Sequence, residues 1–299
     1  MIQEKPTVGS VLFSIANITW FVLFTLLCVF PFYYIFINTI SDNHLAATGK
    51  ILLLPRGIHF QNYVKVFQIR GLGQAALVSV ARTVIGTGLT LIGSAFLGYA
   101  FCRSEYWMRK FWYRFVVVSM YFNAGLIPWF IVMKNLGMIN NFAAYILPTV
   151  VSGFYVILFK TYVEQLPPSL EESAQIDGAG YVVRFSRIVL PLSTPIIATI
   201  AVFTSVAQWN SFTDTLFLMK KSDLFTLQYL LYQYLSEVNA LAQMFRTQAQ
   251  TGMLNPALVL TPTSIRMTVS IVVVLPILLV YPFMQRYFVK GILIGAVKG

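Results

Sequence analysis

The sequence predicts an all-α, polytopic membrane protein, and three features predict it. Hydrophobic residues make up 58% of the 299 positions and charged residues only 10%, where a soluble domain carries about 25% charged residues. Six apolar runs each reach the length of about 20 residues that lets a helix cross the hydrocarbon core. Aromatic residues stand at 15%, which suits interfacial belts and packed helix faces. No Pro- or Gly-rich linker divides the chain and no repeat relates its halves, so residues 1–299 are expected to form a single membrane domain.

The runs follow in order. The first spans Ile18 to Ile40, with Pro31 inside it as an expected kink. It far exceeds the 7–15 residues of a signal h-region, so it is expected to persist as a helix. The second, Ala75 to Cys102, is rich in Gly and carries Arg82, whose long stem suits snorkelling to the outer headgroups. The third runs from Phe111 to Met133, the fourth from Phe142 to Tyr162, the fifth from Pro195 to Phe217 and the sixth from Met267 to Phe288. Six crossings leave both termini on one side. Arg103, Arg109, Lys110 and Arg114, then Arg184 and Arg187, then Arg286, Lys290 and Lys298 all fall on that side, while the short opposite loop holds Lys134. The bias of Lys and Arg in short loops places both termini in the cytoplasm. Two long outer loops, 41–74 and 218–265, remain, and the stretch Leu224 to Gln250 has a helical pattern.

The formal net charge is +11. Its Lys and Arg lie between apolar runs, so anionic lipid headgroups are the expected partner and nucleic acid is not. Cys28 and Cys102 sit in or at the ends of apolar runs and read as packing residues, and His44 and His59 share one polar loop. Neither pair makes a metal site.

The inner loop at 163–194 departs from a simple chain reversal. Pro167 and Pro168 stop the preceding helix, Ser169 stands as a candidate N-cap, and Glu172 three residues on completes a capping box. Glu171 and Glu172 occupy the first turn, where the helix dipole favours acids. Gly178 is placed to end the helix in a left-handed conformation. A second amphipathic stretch, Tyr181 to Val189, sets Arg184 and Arg187 on one face. On the pattern alone, a helix lying on the headgroups competes with a helix that docks a partner.

The spacing of this loop resembles that of bacterial ABC importer permeases, which carry EAA, three residues, Gly, nine residues and Ile-x-Leu-Pro. Here Glu172-Ser173-Ala174, Gly178 and Ile188-Val189-Leu190-Pro191 stand at those intervals, with Ser173 in place of the first Ala. The resemblance implies a type I importer fold in which the loop forms a cytoplasmic coupling helix seated in a cleft of an ATPase subunit. It implies ATPase contact for Glu171, Glu172, Ser173, Ala174, Asp177, Gly178 and Ala179. Glu172 would pair with a basic group, Gly178 would allow the turn and Asp177 would support it. The tail, Pro282 to Gly291 and Gly295 to Gly299, resembles the carbohydrate branch and the second permease of maltose-type importers, as does Trp209-Asn210-Ser211-Phe212. In that branch the tail reaches the ATPase interface, which implicates Gly295 and Lys298. Leu260 to Met267 resembles a sub-branch handling uronic-acid oligosaccharides such as alginate or pectin fragments. The implied partners are a second homologous permease, two ATPase subunits that bind ATP and Mg, and an outer solute-binding protein. The implied location is the bacterial inner membrane.

Polar groups inside a bilayer face a cavity or another helix. Tyr121 and Asn123 on the third run, and Gln208, Trp209, Asn210 and Asp214 on the fifth, offer the aromatic faces and hydrogen-bonding groups that sugars need, and are candidates to line a substrate path. Packing between helices is their alternative role. The chain has no GxxxxGK[ST] P-loop, so an ATPase must be a separate chain, and no cofactor is expected here. A secondary transporter or channel is the competing reading. The former is expected to show inverted repeats and midplane ionisable groups, and neither reading explains the spaced loop.

Overall fold

A computed structural model describes residues 8–236 and 264–279, and among these every regular element is helical. By its own contacts the chain falls into two compact units, one from segments 1–69 and 234–272, the other from 70–233 and 273–299.

In the first unit, α1 runs over Val8–Thr39 and is continuous through Pro31. Apolar side chains are exposed around its whole circumference, and its buried residues are only Ile37, Asn38 and Thr39 at the end. A helix apolar all round is a membrane span or a core helix. Past its end the chain folds back over α2 (Asn43–Ala47) and α3 (Gln61–Phe67). The Asp42 carboxylate caps α2 by accepting from the amides of His44 and Leu45 at 2.9 and 3.0 Å. Asn62 donates to the Thr39 carbonyl and to Asn43 Oδ1, both at 2.9 Å, which ties α3 to the end of α1.

The second unit is organised on α4 (Leu72–Cys102). Beside it lie α5 (Arg109–Met120), α6 (Leu126–Asn135) and α7 (Gly153–Val163). The loop helix α8 covers Ser169–Ile176. A helix over Tyr181–Leu192 follows, made of α9 (Tyr181–Arg184), a π-helical turn at Phe185–Val189 and α10 (Leu190–Leu192). At Ser193 the chain bends by 79° into α11 (Thr194–Asn210). After a break at Ser211–Phe212 comes α12 (Thr213–Leu218). Helical residues 227–233 and 273–279 also belong to this unit, while helical residues 234–236 and 264–272 belong to the first.

α4 packs chiefly on α7 and α11. Ala95, Tyr99, Phe159, Val163, Val189 and Ile200 form one apolar cluster at this junction. Lipid tails are as apolar as leucine, so close contact rather than exclusion of water holds such helices together. Gly98 permits the approach: a Cβ there would stand 3.0 Å from the Val156 carbonyl oxygen and 3.1 Å from the Lys160 nitrogen, both backbone atoms of α7. A second cluster gathers Val78, Tyr145, Ile146, Leu218 and Met219 toward the other end of α4.

Several expectations are corrected. The third apolar run is two helices, α5 and α6, parted at Tyr121–Gly125. There Asn123 Oδ1 accepts from the Gly125 amide at 2.9 Å, and Gly125 adopts φ 83°, a turn that interrupts the helix. The fourth run consists of short 3-10 turns at Phe142–Tyr145 and Leu147–Thr149 bent by 44° from α7. Among the described residues, two helices, α1 and α4, are long and apolar enough to cross a membrane, or up to four spans if each bent pair counts as one. The sixth run and the 224–250 stretch lie partly outside the described residues, and the tail with Gly295 and Lys298 wholly so. Arg82 does not reach for headgroups: it is 1% exposed and paired inside the protein.

Candidate functional site

The loop helix is built much as its residues dictate, with one change at its start. Pro168, at φ −62° and ψ −28°, already has helical geometry and takes the N-cap position, so Ser169 is the first helical residue and its side chain caps nothing. The Ser173 hydroxyl instead donates to the Ser169 carbonyl at 2.9 Å. Glu171 and Glu172 do occupy the first turn. At the other end Gly178 adopts φ 80° with open space where a Cβ would stand, so conformation alone selects glycine. Ala179 donates to the Ala174 carbonyl at 2.9 Å and Gly178 to the Gln175 carbonyl at 3.1 Å. This double closure is a Schellman motif, which satisfies carbonyls that a helix end leaves free.

The two glutamates part company. Glu171 turns toward the end of α4, where Arg103 is the C-cap. Arg103 Nη1 donates to Oε2 at 2.6 Å and Nη2 to Oε1 at 2.9 Å, a bidentate fork, and the Tyr99 hydroxyl donates to Oε2 at 3.0 Å. The guanidinium also lies over the Tyr99 ring, 4.6 Å from its centroid. Side-chain exposure of 22% for Arg103 and 15% for Glu171 shields the fork from water. Glu172, Ser173, Asp177 and Gly178 are exposed, and Ala174 and Ala179 are half-buried. A cleft of about 280 Å³ opens beside the fork, lined by Cys102, Glu164, Pro167, Glu172, Gln175 and Arg184 among others. In the adjoining loop the Glu105 carboxyl is held below its usual range by a hydrogen bond from its own backbone amide, then by the Ser104 hydroxyl.

Arg184 and Arg187 do not share a face. The π-helical turn between them widens the coil. Arg184 is buried beneath Tyr181, donating to Gln175 Oε1 at 3.0 Å, while Arg187 is exposed.

A second polar centre lies within the packed helices. Arg82 Nε and Nη2 donate to Gln208 Oε1 at 3.2 and 3.1 Å, and Nη1 donates to the Ser211 carbonyl at 3.2 Å. Nη1 and Nη2 meet the two oxygens of Asp214 at 3.1 and 2.6 Å. Tyr145 offers its ring face at 4.4 Å. Gln208 completes its own bonding by donating to the Thr149 hydroxyl at 2.8 Å. The Ser211 carbonyl belongs to the break between α11 and α12, so Arg82 satisfies a backbone acceptor that has no helical partner. Of the substrate-path candidates, Gln208 and Asp214 are thus joined to Arg82. Trp209 is buried and donates to the Val273 carbonyl at 3.1 Å, Asn210 is exposed, and Tyr121 and Asn123 lie at the exposed α5–α6 turn.

Sequence reasoning missed the Arg82–Asp214 and Arg103–Glu171 ion pairs. For Arg82 and Asp214 a signal existed: opposite charges isolated in apolar runs must find a partner or a cavity. For Arg103 and Glu171 the pattern holds none, because both sit in polar loops where a charge needs no partner.

Residues 90–294 match the family model described as "Binding-protein-dependent transport system inner membrane component". The chain is 35% identical over 288 residues to the polygalacturonan/rhamnogalacturonan transport system permease protein YtcP of Bacillus subtilis (strain 168), covering 96% of this chain and 99% of that one. It is 35% identical over 287 residues to the protein LplC of the same organism, covering 96% and 95%. A crystal structure of a bacterial ABC transporter involved in the import of the acidic polysaccharide alginate contains a chain that superposes with a TM-score of 0.82 at 25% identity, covering 96% of this chain and all of that one. A match over most of the length, in sequence and in fold, places this chain in the family of binding-protein-dependent transport system inner membrane components.

Proposed function

We propose that this chain is the permease subunit of an ABC importer that brings an acidic oligosaccharide into the cytoplasm, with α8 as the coupling helix. The observation that carries the reading is α8 itself. It is a short helix closed at its C-terminus by Gly178, and it keeps one carboxylate, Glu172, exposed. The fixed intervals from Glu172 to Pro191 support the assignment, as does family membership. Six crossings with both termini in the cytoplasm are the topology we assign to the single permease domain 1–299.

The partners are a second homologous permease, two ATPase subunits that bind ATP and Mg, and an extracytoplasmic solute-binding protein. When the ATPases close on ATP, the coupling helix moves with them. The chain alternates between inward and outward access, and its own residues perform no catalysis. Glu172 pairs with a basic group of the ATPase, with Ser173, Ala174, Asp177, Gly178 and Ala179 completing the docking surface. Gly295 and Lys298 of the tail reach the ATPase interface. An acidic oligosaccharide is favoured by the relatives' substrates, which are galacturonan-type chains for one and alginate for another.

Glu172→Ala in the assembled complex tests the coupling role. Loss of ATPase co-purification or of binding-protein-stimulated hydrolysis is expected, and full stimulated activity would sink it. Uptake of oligogalacturonides against neutral oligosaccharides of equal length tests the substrate class, and preference for the neutral series would overturn it.

A further inference from the structure

We propose that the Arg103–Glu171 fork, braced by Tyr99, is the link that carries motion of the coupling helix into α4, which makes Arg103 and Glu171 positioning residues of transport. The proposal rests on α8 being the coupling helix.

Among the described residues, the side-chain hydrogen bonds that leave α8 for other elements run from Glu171 to Arg103 and Tyr99, and from Gln175 to Arg184. The second set ends on the next helix of the same loop. The first alone reaches a long helix of the packed bundle. Successive helical residues point about 100° apart, so Glu171 can face the bundle while Glu172 faces outward. One carboxylate holds the chain and the other is free for a partner.

The bond type suits the task. A bidentate guanidinium–carboxylate pair fixes direction as well as distance, whereas a single ammonium contact pivots. Both Glu171 oxygens are used, Oε2 twice. Tyr99 holds the pair from two sides, by its hydroxyl on Glu171 and its ring under Arg103. Tyr99 itself is 4% exposed and belongs to the apolar cluster that joins α4 to α7 and α11.

The receiving element is a rod. α4 has 31 residues, and Arg82 lies on it about 32 Å from Arg103 at 1.5 Å per residue. Arg82 is pinned to Asp214 and to the Ser211 carbonyl at the α11–α12 break. The same helix is therefore held at its C-terminal end by the loop and, ten residues in from its start at Leu72, by the broken span.

The test measures solute transported per ATP hydrolysed in proteoliposomes of the full complex, for Arg103→Met, Arg103→Lys and Glu171→Gln. The expected result is normal co-purification of the ATPases, because Glu172 is untouched, with the transport-to-hydrolysis ratio reduced by at least about 5-fold. Arg103→Lys keeps the charge and loses only the fork, so it reports on geometry if Arg103→Met fails to accumulate. The double variant Arg103→Met/Glu171→Gln should lose no more than the worse single, since both break one link. A wild-type ratio in Arg103→Lys and Glu171→Gln overturns the proposal, as does a multiplicative loss in the double variant. Loss of ATPase co-purification in Glu171→Gln also overturns it, because Glu171 would then be a docking residue. Failure of the underlying reading shows elsewhere: Glu172→Ala would leave assembly and stimulated hydrolysis intact.

Discussion

Asp214→Ala should destabilise the protein more than any exposed charge removal, and the structure sets the size of the effect. Arg82 is 1% exposed and makes five hydrogen bonds, two of them to Asp214. Removing the carboxylate leaves a guanidinium in a low-dielectric site with its charge uncompensated, which costs about 3–5 kcal/mol. That corresponds to a fall in Tm on the order of 5–10 °C. The Lys160–Glu164 pair is the control. It joins residues four apart on the surface, with the Glu164 side chain 49% exposed, so Glu164→Ala should cost about 0.5 kcal/mol or less. Replacing both partners, as Arg82→Met/Asp214→Leu, removes the stranded charge and should recover most of the loss. The assay is thermal unfolding of the purified protein in one detergent, followed by intrinsic fluorescence. If Asp214→Ala melts within about 1 °C of the Glu164→Ala control, the guanidinium has reached water or another anion and the burial argument is wrong.

Gly178→Val should impose about 1–2 kcal/mol of left-handed strain, while Gly178→Asn should be milder. The readout is ATPase co-purification, and equal effects would show that side-chain volume matters at this open position. Gly98→Ala should cost about 1–3 kcal/mol by driving α4 from the α7 backbone, measured as a Tm shift. Ser169→Ala should change Tm by less than the equivalent of about 0.5 kcal/mol, because its hydroxyl caps nothing. Asp42→Ala removes a carboxylate that accepts from two amides of α2 and should cost about 1 kcal/mol.

How far the sequence revealed the molecule depended on whether a signal was local. Hydropathy located α1 and α4 because an apolar helix needs nothing but its own composition to be recognised. It merged α5 and α6, since an Asn-Ala-Gly turn at 123–125 is too short to lower the mean hydropathy of its surroundings. The loop helix was legible at Gly178, where chemistry and backbone agree, and misread at Ser169, because Pro168 is itself compatible with helical geometry. The Arg82–Asp214 and Arg103–Glu171 pairs join residues 132 and 68 positions apart. No window along the chain contains both partners, so only the fold brings them together.

The bend at Ser193 has a kinematic consequence. The helix Tyr181–Leu192 stands at 79° to α11, so it acts as a crank arm about 18 Å long rather than an extension of the span. If the elbow holds its angle, a displacement of about 3 Å at the Tyr181 end, along the direction of α11, turns the assembly by about 10°. At the far end of α11, about 25 Å from the elbow, that rotation becomes a sideways sweep of about 4 Å. A push on the arm is thereby converted into a tilt, and the sweep is largest at Trp209 and Asn210. Ser193 is fully buried, and its amide donates to the Val189 carbonyl at 2.9 Å and the Leu190 carbonyl at 3.2 Å. The pivot is thus backbone-locked on the side of the arm, and stiffness at this one residue sets how much of a displacement of the arm reaches the far end of α11.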